Sequence, residues 1–351
     1  MKKGRNTTHF LNVSITTICL THARAIAFLW FFPALVYGCT SVDTDDTGHA
    51  GSTGESTWTD IVLHPGNSSE EAATDVFIFM NDRLRRLDSY QRVSGNRVKV
   101  ASRTGERLLV AIANPHRDMD SWRWINSYEA LLEESIQLST DNPDLPAMTG
   151  EAIIQAGSET CYEIGMDRLM SQICINTLRA DFLGTEYENE DLTDVRIYLT
   201  NVNAECNFIH GDDSSPGHIV NFGAFDETAA NSFAHKEMLI HQIEKVSAKG
   251  IPDPIRLFCY PCDHIAETSG SPFTRLVIEG RIRGNLYYYP ITINREPFGR
   301  GGIERNAIYL YDITINRTGT PDPDIPVNGM QVKVTGKIVP WNEKDNETIV
   351  F

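Results

Sequence analysis

Residues 331–341 read Gln331-Val332-Lys333-Val334-Thr335-Gly336-Lys337-Ile338-Val339-Pro340-Trp341, with apolar Val332 and Val334 alternating with polar Gln331 and Lys333. A two-residue period turns one face inward and the other to water, as a half-buried β-strand does and a helix does not. Working outward, similar short runs recur at Val76 to Met80 (VFIFM), Arg97 to Val100, Leu108 to Ala113 (LLVAIA), Ile173 to Leu178 and Val195 to Asn203. They continue at Arg256 to Tyr260, Arg275 to Ile282, Leu286 to Ile293 and Ala307 to Ile315. Turn-forming residues separate them at intervals suited to β-sandwiches. One stretch differs: from Trp124 to Leu138, apolar Ile125, Tyr128, Leu131, Leu132, Ile136 and Leu138 recur near helical spacing beside Glu129, Glu133 and Glu134. It predicts one short amphipathic helix lying over a sheet. Asn142 to Gly157, with Pro143 and Pro146, breaks the pattern, and a fresh strand series begins after Gly165. The expected organisation is a first sandwich over 57–164 and a second over 165–351.

The chain has 351 residues and 39.3 kDa, 41% hydrophobic and 22% charged. That length suits two domains of ordinary size, and the composition argues against wholesale disorder or a polytopic membrane protein. Lys and Arg number 31 against 47 Asp and Glu, a formal charge of −16, which repels a phosphate backbone and excludes general nucleic-acid binding.

Residues 1–38 carry Lys2, Lys3, Arg5 and Arg24 and no acid, followed by the apolar run Ala25 to Gly38. That run is too short for a membrane-spanning helix, which needs about 20 residues, and reads as a signal-peptide core. Cys39 follows in Val36-Tyr37-Gly38-Cys39, which resembles the lipobox of bacterial lipoproteins. The resemblance implies acylation of the Cys39 thiol; the other reading is an ordinary signal peptide cut nearby. Residues 39–56 are small, polar and acidic after the cysteine, a solvated tether reaching ~20–25 Å. An acidic stretch in this position also resembles the surface-export signal of Bacteroidota lipoproteins.

Motifs for chemistry are weak. Cys259-Tyr260-Pro261-Cys262 has the spacing of redox dithiols and zinc half-sites, but a strand-like run precedes it and no second such pair completes four ligands. His235 and His241 lie outside the spacing that puts two imidazoles on one helical face. Gly299 to Gly302 precede a strand rather than a helix, and Pro321 to Asp324 lack the glycine and terminal glutamate of a calcium loop. No metal, cofactor or catalytic residue is implied.

The C-terminal fifty residues carry a resemblance. Ile303-Glu304-Arg305-Asn306-Ala307-Ile308-Tyr309, then Tyr311 to Ile315, Gly319, Pro321 to Pro326, Val332 to Val334 and Val339-Pro340-Trp341 resemble the C-terminal signature of fimbrillins. These are the FimA-type subunits of type V pili. Arg107 to Asn114, Tyr198 to Asn203 and Tyr287 to Ile291 add matching pieces in the same order, so the resemblance runs from Thr57 to Phe351.

The resemblance implies an all-β chain of two tandem transthyretin-like sandwiches, no enzymatic activity, and polymerisation with other pilus subunits through an exchanged strand. Strand-exchange candidates are Ile61 and Leu63 of the first strand (Thr57 to Leu63), Val332, Val334, Ile338 and Trp341, and Ile349 and Phe351 of the apolar tail. Inward-facing, the four residues from Val332 to Trp341 each contribute ~1.5–3 kcal/mol by burial. The tail is either donated to a neighbour or closes its own sheet. In the family a trypsin-like protease cuts after an arginine following the first strand. Here residues 40–82 contain neither Arg nor Lys, and Arg83, Arg85 and Arg86 come first, beyond VFIFM. That departure implies a subunit that keeps its lipid and first strand, as a basal anchor on the outer membrane does. A stalk subunit processed by a protease of other specificity is the runner-up. A surface adhesin binding a glycan or host protein through loops such as Asp212 to Gly217 is a different reading, and an extracellular thiol enzyme using Cys259 and Cys262 a third.

Overall fold

The computed structural model describes residues 54–64, 73–209, 218–296, 299, 301–341 and, for backbone alone, 349–350. The chain is all-β. In its N-terminal half β1 (Ser56–His64), β2 (Ala73–Met80), β3 (Leu87–Ser94), β4 (Arg97–Arg103) and β5 (Gly105–Ala113) precede the short α1 (Tyr128–Leu132). There follow β6 (Ser135–Gln137), β7 (Met148–Ala156), β8 (Tyr162–Gly165) and β9 (Asp167–Arg168). A 3-stranded sheet β4-β1-β8 faces a 5-stranded sheet β3-β2-β5-β7-β9. Between them lie Ile61, Leu63, Val100 and Ile164 on one side and Val76, Ile78, Leu109, Ala111 and Ile154 on the other. The layers approach closely at Gly150, where any Cβ would stand 2.3 Å from the Gly165 carbonyl oxygen, so glycine alone fits there.

The C-terminal half contains β10 (Ser171–Ala180), β11 (Leu192–Thr200), β12 (Val202–Asn203), β13 (Glu205–Asn207), β14 (Ile219–Val220), the four-residue α2 (Glu227–Ala230) and β15 (Ile240–Val246). It ends with β16 (Ile255–Cys259), β17 (Arg275–Ile282), β18 (Asn285–Thr292), β19 (Ala307–Ile315), β20 (Val332–Pro340) and β21 (Ile349–Val350). A 5-stranded sheet β16-β10-β19-β20-β21 packs on a 4-stranded sheet β15-β11-β17-β18. Ile173, Leu257, Tyr309, Tyr311 and Ile313 meet Ile197, Leu199, Ile278, Tyr289 and Ile291. The loop after β19 lies along β18, Tyr288 and Thr320 exchanging backbone hydrogen bonds of 2.9 and 2.8 Å. Gly319 permits this, since a Cβ there would fall 2.2 Å from the Tyr288 oxygen.

The second face of the β2–β5 sheet carries Phe77, Phe79, Val110 and Ile112, covered by Trp122, Ile125, Tyr128 and Leu131, and this packing runs without a break into the C-terminal core. Trp122 meets Phe208 at 5.5 Å, with the Arg117 guanidinium over both rings. Arg305 donates to the carbonyls of Asn207 and Phe208, and β6 pairs with β13.

Two readings need correction. The helix over Trp124 to Leu138 shrinks to α1, because Ile136 and Leu138 are buried by a strand pairing and a tight turn rather than by a further helical turn. Its cap is sequence-encoded, Ser127 accepting from the Ala130 amide. The stretch Asn142 to Gly157 is not patternless, since β7 occupies Met148 to Ala156. Its small residues Gly150, Ala152 and Ala156 let it lie under the facing layer, at the expense of an apolar signal. After Gly165 the chain adds β9 to the edge of β7 before β10 begins at Ser171.

Candidate functional site

The strand-exchange candidates fall on two elements. β1 is an inner strand, antiparallel to β4 from Ser56 opposite Arg103 to Val62 opposite Arg97, and parallel to β8 from Ile61 opposite Tyr162 to His64 opposite Gly165. Its alternation is strict: Thr59, Ile61 and Leu63 are buried, whereas Trp58 stands 64% exposed. Ile61 and Leu63 therefore sit together over the apolar floor given above.

The outer edge of β4 is closed by side chains of β3 instead of by a strand. Gln91 Nε2 donates to the Ala101 carbonyl at 2.9 Å while the Ala101 amide donates to Gln91 Oε1 at 3.0 Å. Ser89 Oγ adds a bond to the same carbonyl, and the Arg103 amide donates to Asp88 Oδ2 at 2.8 Å. One primary amide thus supplies the donor and acceptor a neighbouring residue would have offered.

The second element is β20. It pairs with β19 from Ile315 opposite Val332 to Ala307 opposite Pro340, and β21 adds to its other side only at Lys337 and Ile338. From Val332 to Gly336 that outer side has no strand partner among the described residues. Val332 is buried, whereas Val334, Ile338 and Trp341 are half-buried against the core. Trp341 stacks on Phe258 at 5.9 Å, with the Arg168 guanidinium 4.8 Å from its ring. Ile349 belongs to β21 by its backbone. Cys39, Phe351 and the Asp212 to Gly217 loop lie outside the described residues, as do most of 39–56 and all of 1–38. β1 and β20 are thus not one site: each lies in its own half.

Arg83, Arg85 and Arg86 occupy the exposed turn between β2 and β3. Arg85 adopts φ 39° and lays its guanidinium 4.8 Å from the Tyr128 ring. β2, which any cut here would release together with β1, is buried along its length and hydrogen-bonded on both sides.

The thiols are poorly placed for chemistry. Cys259 ends β16 and is fully buried; Cys262 is buried in a bridge to Ile303, its Sγ 3.8 Å from His264 Nδ1. Burial pushes both thiols up, away from the reactive thiolate, and Cys206 is pushed up to about 11 for the same reason. His235 pairs with Glu237 at 3.1 Å before β15, and His241 lies on β15 itself. Among the described residues no three His, Cys, Asp or Glu side chains are grouped to hold a metal ion, and no helix is long and apolar enough to cross a membrane.

Sequence reasoning missed the polar residues that complete these elements. Gln91 sits in a strand reading LDSYQRVS, too polar to announce itself. Asp75 is likewise a buried carboxylate inside a hydrophobic strand, accepting from Tyr90, Trp122 and, twice, Arg92.

No protein-family model and no curated protein sequence matches this chain. Solved structures do. A candidate cell adhesion protein of Bacteroides eggerthii superposes with a TM-score of 0.63 at 16% identity, covering 82% of this chain and 97% of that one. A fimbrilin of Porphyromonas gingivalis gives 0.60 at 14%, covering 82% and 98%. The tip fimbrial protein Mfa3 of Porphyromonas gingivalis, truncated at its C-terminus, gives 0.51 at 13%, covering 82% and 99%. Nearly the whole of each relative is matched at very low identity, so the likeness is one of architecture, and the fold of this chain is the β-sandwich fold of the Bacteroidales fimbrilins.

Proposed function

We propose that this chain is a structural subunit of a cell-surface pilus, with two sandwich domains (57–164 and 165–351), joined to neighbouring subunits by an exchanged strand. The observation that carries the reading is the seat of β1. Kept in place, it fills this chain's own groove between β4 and β8 above an apolar floor; in a neighbour of the same fold that has lost its first strand, the unpaired backbone groups there are what an extended segment of this chain fills by β-augmentation. The donor is the C-terminal tail, whose two-residue hold on β20 is slight beside the full-length pairing of β19 with β20.

Within the pilus this subunit is the anchor. Acylated at Cys39, it is held at the outer membrane by more than one acyl chain, which gives stable binding where a single chain is marginal. It retains β1, because the first basic residues after the tether lie beyond β2, and losing β2 would remove Val76, Phe77, Ile78 and Phe79 from the two cores. Mass spectrometry of the native protein tests this: an acylated Cys39 at the N-terminus is expected, and a start beyond Leu63 would make the subunit a stalk component instead. Detergent-resistant polymer ladders formed with other pilus subunits are the accompanying expectation.

A further inference from the structure

The outward face of the β15-β11-β17-β18 sheet holds a groove apart from β1 and β20, the elements named for strand exchange. At one end, Tyr198, Ile240 and Val277 form a small apolar cluster of their own, flanked by Phe225 and Tyr288, with the Tyr198 and Phe225 rings 5.1 Å apart. Next to it opens a cavity of about 590 Å³ lined by Asp194, Arg196, Gln242, Glu244, Glu279 and Arg281, with Leu286 as its apolar side. That volume is within the ~300–1,000 Å³ of ordinary ligand sites.

The floor is rigid. Glu279, 6% exposed, receives Arg196 Nε at 2.9 Å and Nη2 at 2.8 Å, and the Tyr198 hydroxyl at 3.1 Å. A register shift in β11 between Thr193 and Arg196 leaves Asp194 at φ 51°, and Arg281 approaches it at 3.7 Å. Bulges of this kind re-aim side chains and recur beside binding sites. The charges are nearly balanced, two guanidinium groups against three carboxylates, and Arg196 already neutralises Glu279. Arg281 faces Asp194, which leaves Glu244 as the one lining carboxylate without a guanidinium beside it, so a polyanion finds no unmatched cation here and Glu244 is left to accept from hydroxyl groups. What the lining offers is a mixture of donors and acceptors beside the aliphatic Leu286, with the half-buried rings of Phe225 and Tyr288 at the flank of the neighbouring cluster. Hydroxyl groups, each both donor and acceptor, match the first, and the C–H faces of a sugar ring match the second.

We infer that this groove binds a neutral oligosaccharide. The inference does not rest on the pilus reading, since it concerns one copy of the chain. The test is binding of the full-length chain, in detergent, to an array bearing neutral and acidic oligosaccharides of host-type and bacterial capsular origin. Retention of neutral members is expected, and which set is retained identifies the source. Gln242→Ala and Tyr288→Ala should each weaken binding about fivefold, the worth of one hydrogen bond or one packing contact, while Lys249→Ala, outside the groove, leaves it unchanged. Melting curves establish that the variants fold. Hydrogen exchange on the unaltered chain gives a second readout, with bound sugar protecting Leu192–Thr200 and Ile240–Val246. The inference is overturned if only acidic members or none are retained, if folded Gln242→Ala and Tyr288→Ala bind as well as the parent, or if protection appears elsewhere.

Discussion

At the scale of single residues, the molecule depends on a few buried polar groups. Asp75, fully buried, accepts four hydrogen bonds of 2.7 to 2.8 Å from Tyr90, Arg92 and Trp122. Asp75→Ala leaves the buried Trp122 indole N–H, the Tyr90 hydroxyl and the Arg92 guanidinium without their shared acceptor, and denaturant melts should show a loss of about 3–5 kcal/mol. His116 Nε2 donates to the Leu145 carbonyl, 3.0 Å away, and lies 3.3 Å from buried Asp141, whose carboxylate raises the imidazole pKa against the opposing effect of burial. A raised folded-state value means that the stabilisation is fully present below the ordinary histidine pKa and fades as pH rises through the folded one. The gap in melting temperature between the parent and His116→Gln should therefore be widest near about pH 5 and close above neutrality. Native alkylation followed by mass spectrometry should mark Cys161, which is exposed, and spare Cys259 and Cys262 until the chain unfolds.

At the scale of elements, β1 and the tail make opposite predictions. β1 is deeply seated: Ile61→Ala should cost about 2–5 kcal/mol in a melt, because the cavity it leaves is lined by both layers of the sandwich. The backbone of β21 pairs with β20 at two described residues, so deleting 342–351 should abolish polymer ladders while lowering the monomer's melting temperature little. Unchanged ladders would show that the tail only closes its own sheet. Elements were legible in the sequence where burial is one-sided or complete. Apolar runs such as Val76 to Met80 and Leu108 to Ala113 lie inside strands, and the alternation of Val332 and Val334 becomes the inward and outward faces of β20. β3 was not legible, since every residue from Leu87 to Val93 is half-buried between two layers and no face is consistently apolar. The overlong helix has a related cause. Over so few residues, Ile136 and Leu138 satisfy a helical spacing and a strand-then-turn spacing equally well, and only pairing with Glu205 to Asn207 decides between them.

At the scale of the whole molecule, the sugar groove was beyond reach of sequence, because its lining comes from strands as far apart as Asp194 and Leu286 and no local motif marks it. The C-terminal signature was legible because it is nearly contiguous, and the resemblance it carries agrees with the fold. The Gln91 bracket over Ala101 bears on how copies of the chain meet. A bare margin on β4 would let molecules zip together side by side into aggregates without direction. With Ala101 already bonded to the chain's own amide, edge-to-edge pairing at that residue is blocked, and the flank of β4 is guarded against a second copy.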